Sequence, residues 1–261
     1  MYTNLINAIG NTPLVATPLS NTPTLYAKLE YLNPGGSVKD RSARFMIAHA
    51  EENGLLKPGG TLIDASSGNQ GIASAMIGAS KGYKVIITVS EKVSQEKMQT
   101  LKAYGAQIVI CPATDFIDDP RSYHSVAVQL QKETPNSFMP NQYFNPLNAQ
   151  AHYTSLAPEV WNQSHGAITH FFAGAGTGGT ITGVGRYLKE KNPELKIVAF
   201  ALPPRGANDI PSFLQGDSAL FGDCQQILPE VAKALQENIV RSSKKDYDDA
   251  KTMNNDEART E

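Results

Sequence analysis

Hydrophobic positions along this chain fall into short unbroken runs that alternate with longer segments of helical character. "TLIDA" (Thr61 to Ala65) is a short, mainly apolar run, with Gly-Gly before it and Ser-Ser-Gly after, the mark of a buried strand. "NQGIASAMIGASKG" follows, rich in small helix formers and closed by Gly82 as a C-cap. "KVIITV" reads as the next strand. "SEKVSQEKMQTLKAYG" reads as the next helix, with Ser90 as N-cap, acids in the first turn and Gly105 at its end. "AQIVIC" is a third strand, and the order strand-helix-strand-helix-strand predicts a parallel sheet with right-handed crossovers.

The alternation resumes further on. "ITHFFA" is a strand, "GAGTGG" a loop, "TITGVGRYLKEKN" a helix and "KIVAFAL" another strand. The Pro/Asn-rich "FMPNQYFNPLNAQAHY" between the two units reads as a connector. The fold class this implies is α/β, as two open parallel-sheet lobes with a cleft between them. Ligands in such sheets bind beyond the carboxyl ends of the strands. The polar ending "SSKKDYDDAKTMNNDEARTE" is expected to fray.

Composition removes several function classes. At 261 residues, 41% hydrophobic and 18% charged, the chain has length for a substantial core. A net charge of -2 offers no electrostatic ground for nucleic-acid binding. Cys111 and Cys224 are the two cysteines, without CxxC spacing, so neither a disulfide scaffold nor a zinc site is expected. The five histidines lack metal-ligand spacing. No apolar run approaches the roughly 20 residues of a membrane span, and "MYTNLINAIGNTPLV" lacks signal-peptide order. A cytoplasmic protein is expected.

Three corners carry candidate chemistry. "GAGTGGT" (Gly174 to Thr180) joins a strand to a helix, where backbone N–H groups favour an anion. Gly174, Gly176 and Gly179 also satisfy GxGxxG, but the acid that would anchor a ribose on the next strand is missing. A phosphate monoester is therefore favoured over a dinucleotide, with a purely structural turn as the remaining reading. "SSGNQG" (Ser66 to Gly71) offers hydroxyls, an amide and exposed N–H groups for a carboxylate, or simply an N-cap. Lys39, in "NPGGSVKDRSARF", reads locally as a surface charge. Desolvated beside phosphate-binding loops, it would instead be a Schiff-base nucleophile.

Taken together, "NPGGSVKDR", "SSGN" and "GTGGTITG", with "IGNTPLV", "YGAQIV", "NQYFNPLN" and "AHYTSLAPEVW", resemble the fold-type II pyridoxal-phosphate enzymes of the cysteine synthase and cystathionine β-synthase family. The likeness runs from Leu5 to about Ala199, and cysteine synthase (O-acetylserine sulfhydrylase) resembles it most. The resemblance implies that Lys39 carries pyridoxal 5'-phosphate and moves the substrate α-proton. It implies that Asn69 meets the phenolic oxygen of the cofactor, and that Gly176, Thr177, Gly178, Gly179 and Thr180 cradle the phosphate. It assigns Ser66, Ser67, Gly68, Gln70 and Gln142 to the substrate carboxylate. It also implies a tryptophan synthase β-subunit-like fold. There, residues 34–144 form a smaller mobile domain, and 1–33 with 145–261 a larger one. The implied reaction is β-replacement, O-acetylserine plus sulfide giving cysteine and acetate through an aminoacrylate. A homodimer, with serine acetyltransferase as a partner, is the implied assembly.

The chain departs from the family pattern at three places. Gln70 stands where cysteine synthases have threonine, which leaves cystathionine or 2,3-diaminopropionate open as products. "SLAP" (Ser155 to Pro158) replaces Thr-Thr-Gly-Pro. After Ala199 the likeness thins, "ALPP" replaces the usual Glu-Pro, and no "GISSG" segment or partner for the pyridine nitrogen is found. A C-terminally shortened large domain is expected, with a non-catalytic binding or regulatory relative as the alternative.

Overall fold

Residue types along the chain dictate most of the elements in the computed structural model, which describes residues 4–17, 24–114, 116 and 118–200. A short antiparallel pair, β1 (Leu14–Ala16) and β2 (Tyr26–Lys28), precedes helix α1 (Lys39–Glu52). The alternating unit follows as β3 (Thr61–Ala65), α2 (Asn69–Lys81), β4 (Lys84–Ser90), α3 (Gln95–Ala103), β5 (Gln107–Cys111), α4 (Tyr123–Glu133) and β6 (Ser137–Phe138). These strands make a four-stranded sheet in the order β5-β4-β3-β6, parallel throughout.

Every residue of β3 is buried, as expected of a central parallel strand covered on both faces. Leu62 joins Ile47, Met76, Ile77, Ile87 and Leu101 in the core beneath α1 and α2. Ile63 and Ala65, of opposite parity, meet Ala127 and Met139 on the side of α4. The second unit continues with α5 (Leu147–Thr154), α6 (Leu156–Gln163), β7 (His170–Gly174), α7 (Gly179–Lys191) and β8 (Lys196–Phe200), the two strands pairing in parallel. Among the described residues, no helix is long and apolar enough to cross a membrane.

Two sequence expectations need correction. Ser90 does not cap α3: it ends β4, pairs with Cys111, and receives Lys92 N–H at its own Oγ, 3.3 Å away. Ser94 is the cap, accepting from Lys97 N–H at 3.4 Å. Both serines precede the helix, and the parallel ladder to β5 claims the first. The supposed connector is also more structured than its Pro/Asn content suggested. Phe138 lies in β6, and Pro146 opens α5, a position where its missing N–H costs nothing. Cys111 is buried as expected, its thiol pushed up by desolvation. Cys224, the polar ending and the segment after Phe200 lie outside the described residues.

The start of α1 is held by an ion cluster. Arg41 is forked on both sides: its Nε and Nη2 donate to Glu30 at 2.7 and 2.9 Å. Its Nη1 and Nη2 donate to Glu159 of α6, also at 2.7 and 2.8 Å. Lys28 adds a bond to the second oxygen of Glu159 at 2.7 Å. Burial alone would raise the Glu159 carboxyl, but hydrogen bonds from Arg41, Lys28 and Asn11 N–H outweigh it and hold it down at about 2. Because the folded value lies below the ordinary 4.5, this stabilisation is complete above pH 4.5 and is lost as pH falls toward 2. Glu159→Ala is expected to cost about 3 kcal/mol, since it leaves buried cations uncompensated. Denaturant unfolding at a series of pH values should show that loss, and a shallower acid limb for the variant.

Candidate functional site

Three chain corners meet at one cleft of about 400 Å³. The first is the turn before α1. Asp40 is fully buried and its Oδ2 accepts Gly35 N–H at 2.6 Å, folding the Gly-Gly loop back over the helix start. Burial pushes that carboxyl up to about 6. Lys39, the first residue of α1, is thereby aimed inward, and its Nζ donates to Thr177 Oγ1 at 3.2 Å. Burial lowers the Lys39 amine to about 8, partly opposed by the Asp64 carboxylate.

The second corner is Ser66 to Gln70, between β3 and α2. Gly68 caps α2 without a side-chain hydrogen bond, so the first N–H groups of the helix stay open toward the cleft. Ser67 Oγ accepts Ser90 N–H at 3.0 Å, tying the loop to the end of β4. Asn69 is exposed on the rim, while Ser66 is buried. Gln70 behaves differently from the rest. Only 1% exposed, its Nε2 reaches Asp64 Oδ2 at 3.3 Å and Ser74 Oγ at 3.4 Å. Its Oε1 accepts from Ser42 Oγ at 3.2 Å. That amide is spent inside the protein, bracing α2 against α1.

The third corner is the loop between β7 and α7. Gly178 sits at φ 77, a left-handed conformation that a side chain would strain, and it opens α7 with no side-chain cap. A Cβ on Gly179 would collide with the Asn148 amide, whereas one on Gly176 would meet open space. Free N–H groups at the start of a thirteen-residue helix, two threonine hydroxyls and glycines that admit close approach fit a phosphate.

The cleft wall brings together Lys39, Ser66, Ser67, Gly68, Asn69, Gln70, Gln142, Gly176 and Thr177 of the predicted residues. Gly178, Gly179 and Thr180 lie just behind, in the first turn of α7. Gln142 is buried, and its Oε1 has no partner among the described residues. Sequence reasoning missed Lys97, Tyr123 and Tyr143, which also line the cleft. No local pattern marks them, because α3, α4 and the segment after β6 deliver them from separate parts of the chain. It also missed the buried Asp64, hidden inside an apolar run. Among the described residues no group of His, Cys, Asp and Glu is placed to hold a metal.

Comparison with known proteins agrees with this geometry. A sequence model of the family described as "Pyridoxal-phosphate dependent enzyme" matches residues 5–260. The chain is 51% identical over 211 residues to cystathionine beta-synthase of Apis mellifera, covering 78% of this chain and 41% of that protein. It is 44% identical over 213 residues to cysteine synthase B of Pseudomonas aeruginosa, covering 80% of this chain and 69% of that one. Among solved structures, a hydrogen sulfide-producing enzyme from Fusobacterium nucleatum superposes with a TM-score of 0.71 at 37% identity, covering 76% of this chain and 65% of the other. The chain thus spans about two fifths of the length of the cystathionine beta-synthases it matches. A half-buried lysine facing two open helix N-termini, and matches of this extent, lead to one conclusion: the chain belongs to the fold-type II pyridoxal-phosphate dependent enzymes of the cysteine synthase and cystathionine β-synthase family.

Proposed function

We propose that the protein catalyses β-replacement on an amino acid with a β leaving group, using O-acetylserine and sulfide to give cysteine and acetate. The observation that carries this reading is Lys39, lowered to about 8 and lying between two uncapped helix N-termini. Each N-terminus suits one anion: the α7 end with Thr177 and Thr180 for the phosphate, and the α2 end with Ser66 to Gly68 for the substrate carboxylate. The cofactor, when bound, supplies an electron sink for the substrate α-carbon.

The chain's own groups would do the rest. Lys39 Nζ is the group that would hold the cofactor and would take the substrate α-proton, and the β leaving group would depart with its bonding electrons. Sulfide then adds to the β-carbon, and Lys39 returns the proton to the α-carbon. Asn69, on the rim, is the group we assign to the cofactor's phenolic oxygen. Gln142, with its unpartnered buried oxygen, assists at the carboxylate end. With the side chain of Gln70 turned inward, that residue serves the carboxylate through its main chain and through the loop it braces. We take residues 34–144 as the lobe that closes over the cleft and excludes water. Arg41 keeps the first turn of α1 in place as it does so.

A second reading changes only the nucleophile. Identity of 51% and 46% to two cystathionine beta-synthases favours homocysteine in place of sulfide.

Borohydride reduction of the pyridoxal-phosphate-loaded chain should leave a pyridoxyl label on Lys39, found by peptide mass mapping and lost in Lys39→Ala. That variant should also lose activity by roughly 10²–10⁴-fold, the range for a positioned acid–base group. Product analysis with sulfide, homocysteine and ammonia in competition identifies the nucleophile. Absence of any product from folded, loaded protein sinks the proposal.

The depressed amine yields a further expectation. Because burial disfavours the ammonium form, the rate at which the cofactor-free chain captures a small aldehyde should rise with pH through a midpoint near 8 rather than 10.5.

A further inference from the structure

The two threonines of the phosphate loop are hydrogen-bonded from behind by one face of α5. Asn148 and His152 stand four residues apart on that helix and so share a face. They are 3% and 0% exposed, and α5 packs directly against α7. The approach is so close that a Cβ on Gly183 would run into the backbone of Ala149. Neither polar side chain belongs in such a contact unless its bonds do something there.

The direction of each bond follows from chemistry. Asn148 bonds both to the backbone oxygen of Gln142, at 3.0 Å, and to Thr177 Oγ1, at 2.9 Å. A carbonyl oxygen only accepts, so the atom facing it is Nδ2, and Nδ2 donates to Thr177 as well. Thr177 Oγ1 also accepts from Lys39 Nζ. Its lone pairs are thus engaged, one by Asn148 from behind and one by Lys39 from the cleft, and its own proton has no acceptor among the described residues. Asn148 Oδ1 is left buried without a partner among those residues, the cost of holding the amide this way round.

His152 repeats the arrangement one turn later. Burial, then the nearby Lys39 and Arg41 charges, push its ring down to about 3, so it is neutral at any physiological pH. Its Nε2 lies 3.3 Å from Thr180 Oγ1, while its Nδ1 is buried with no partner among the described residues. A buried orphan N–H is costlier than a bare ring nitrogen, so the proton resides on Nε2 and is donated to Thr180. Thr180, like Thr177, keeps its hydroxyl proton for the other side.

We infer that Asn148 and His152 are positioning residues: by donating to Thr177 and Thr180 from within the α5–α7 contact, they commit both hydroxyls as donors to the phosphate. A free threonine rotor divides its time between donating and accepting, and a phosphate oxygen can use only the donor. This inference rests on the reading that Gly176 to Thr180 cradle the phosphate.

The test compares two ligands, pyridoxal phosphate and pyridoxal, by equilibrium dialysis on the full chain. Both carry the same aldehyde for Lys39, so the change in the ratio of their dissociation constants from the parent chain to a variant isolates the phosphate. Asn148→Leu and His152→Phe should each reduce the preference for the phosphorylated form about tenfold, the weight of one charge-assisted hydrogen bond. His152→Gln, which keeps an N–H donor, should retain most of it. In a Thr180→Val background, His152→Phe should have almost no further effect, because the hydroxyl it orients is gone.

If Thr177→Val and Thr180→Val reduce the preference while the α5 variants do not, the inference is overturned and the cradle stands. If the threonine variants too leave the preference unchanged, the cradle reading fails and the inference falls with it. Equal weakening of both ligands, or a lowered melting temperature with the preference intact, would make Asn148 and His152 merely structural. Should His152→Phe not fold, His152→Gln decides in its place through the same ratio.

Discussion

The double fork of Arg41 is the constraint on which the rest of this protein depends. One guanidinium, with its side chain 1% exposed, joins three stretches of chain: the turn at Glu30, the start of α1 and, through Glu159, helix α6. A planar group with five fixed donors can satisfy two carboxylates at once, which a lysine at the same place cannot do. Desolvating these charges is expensive, and the cluster repays it only because nearly every donor finds an oxygen. Its consequence lies two residues away. Lys39 emerges from a backbone that has little freedom to turn, so the half-buried amine is directed into the cleft, against Thr177.

From that fixed point the electrostatics of the cleft follow. Two helices, α2 and α7, begin at glycines without side-chain caps, and both leave N–H groups directed at the same space. An ordinary helix would satisfy these groups itself with a serine or aspartate. Here they are held in reserve, and the amine between them is lowered by burial rather than by a neighbouring cation. The arrangement has room for two anions, one at each helix start, with the Lys39 amine between them. The interior behind the cleft is correspondingly polar. Asp64, Ser74, Gln70 and Ser42 form one bonded group joining α1, α2 and β3, while Asn148 and His152 form another behind α7.

Much of this was legible from residue types and order. The short, mainly apolar run of β3 between glycines and serines marked a buried strand. Gly82 and Gly105 marked where helices end, and the spacing of Lys39, the "SSGN" loop and "GTGGT" marked the corners of a single site. What escaped the sequence has identifiable causes. Ser90 and Ser94 are equally good caps in isolation, and only the ladder to β5 decided between them. Pro and Asn made the segment before α5 look like a connector, although Pro146 is where a helix prefers to begin. Gln70, placed by resemblance among the carboxylate-binding residues, turns its amide toward Asp64 because a longer side chain at that position reaches the buried carboxylate.

The sequence by itself determined which segments are strands and helices and which glycine-rich corners leave helix N–H groups open, whereas Lys39 read locally as a surface charge. Those properties are local: they depend on periodicity, on glycine where the backbone must open, and on residues adjacent in the chain. The tertiary structure alone decided that Lys39 is desolvated, that Arg41 is matched on both sides, and that Asn148 and His152 stand behind the two threonines. Each of these depends on groups 11 to 138 positions apart, from Arg41 with Glu30 to Lys39 with Thr177. Burial and hydrogen-bond direction are set by neighbours in space, and neither has a signature in the order of residues.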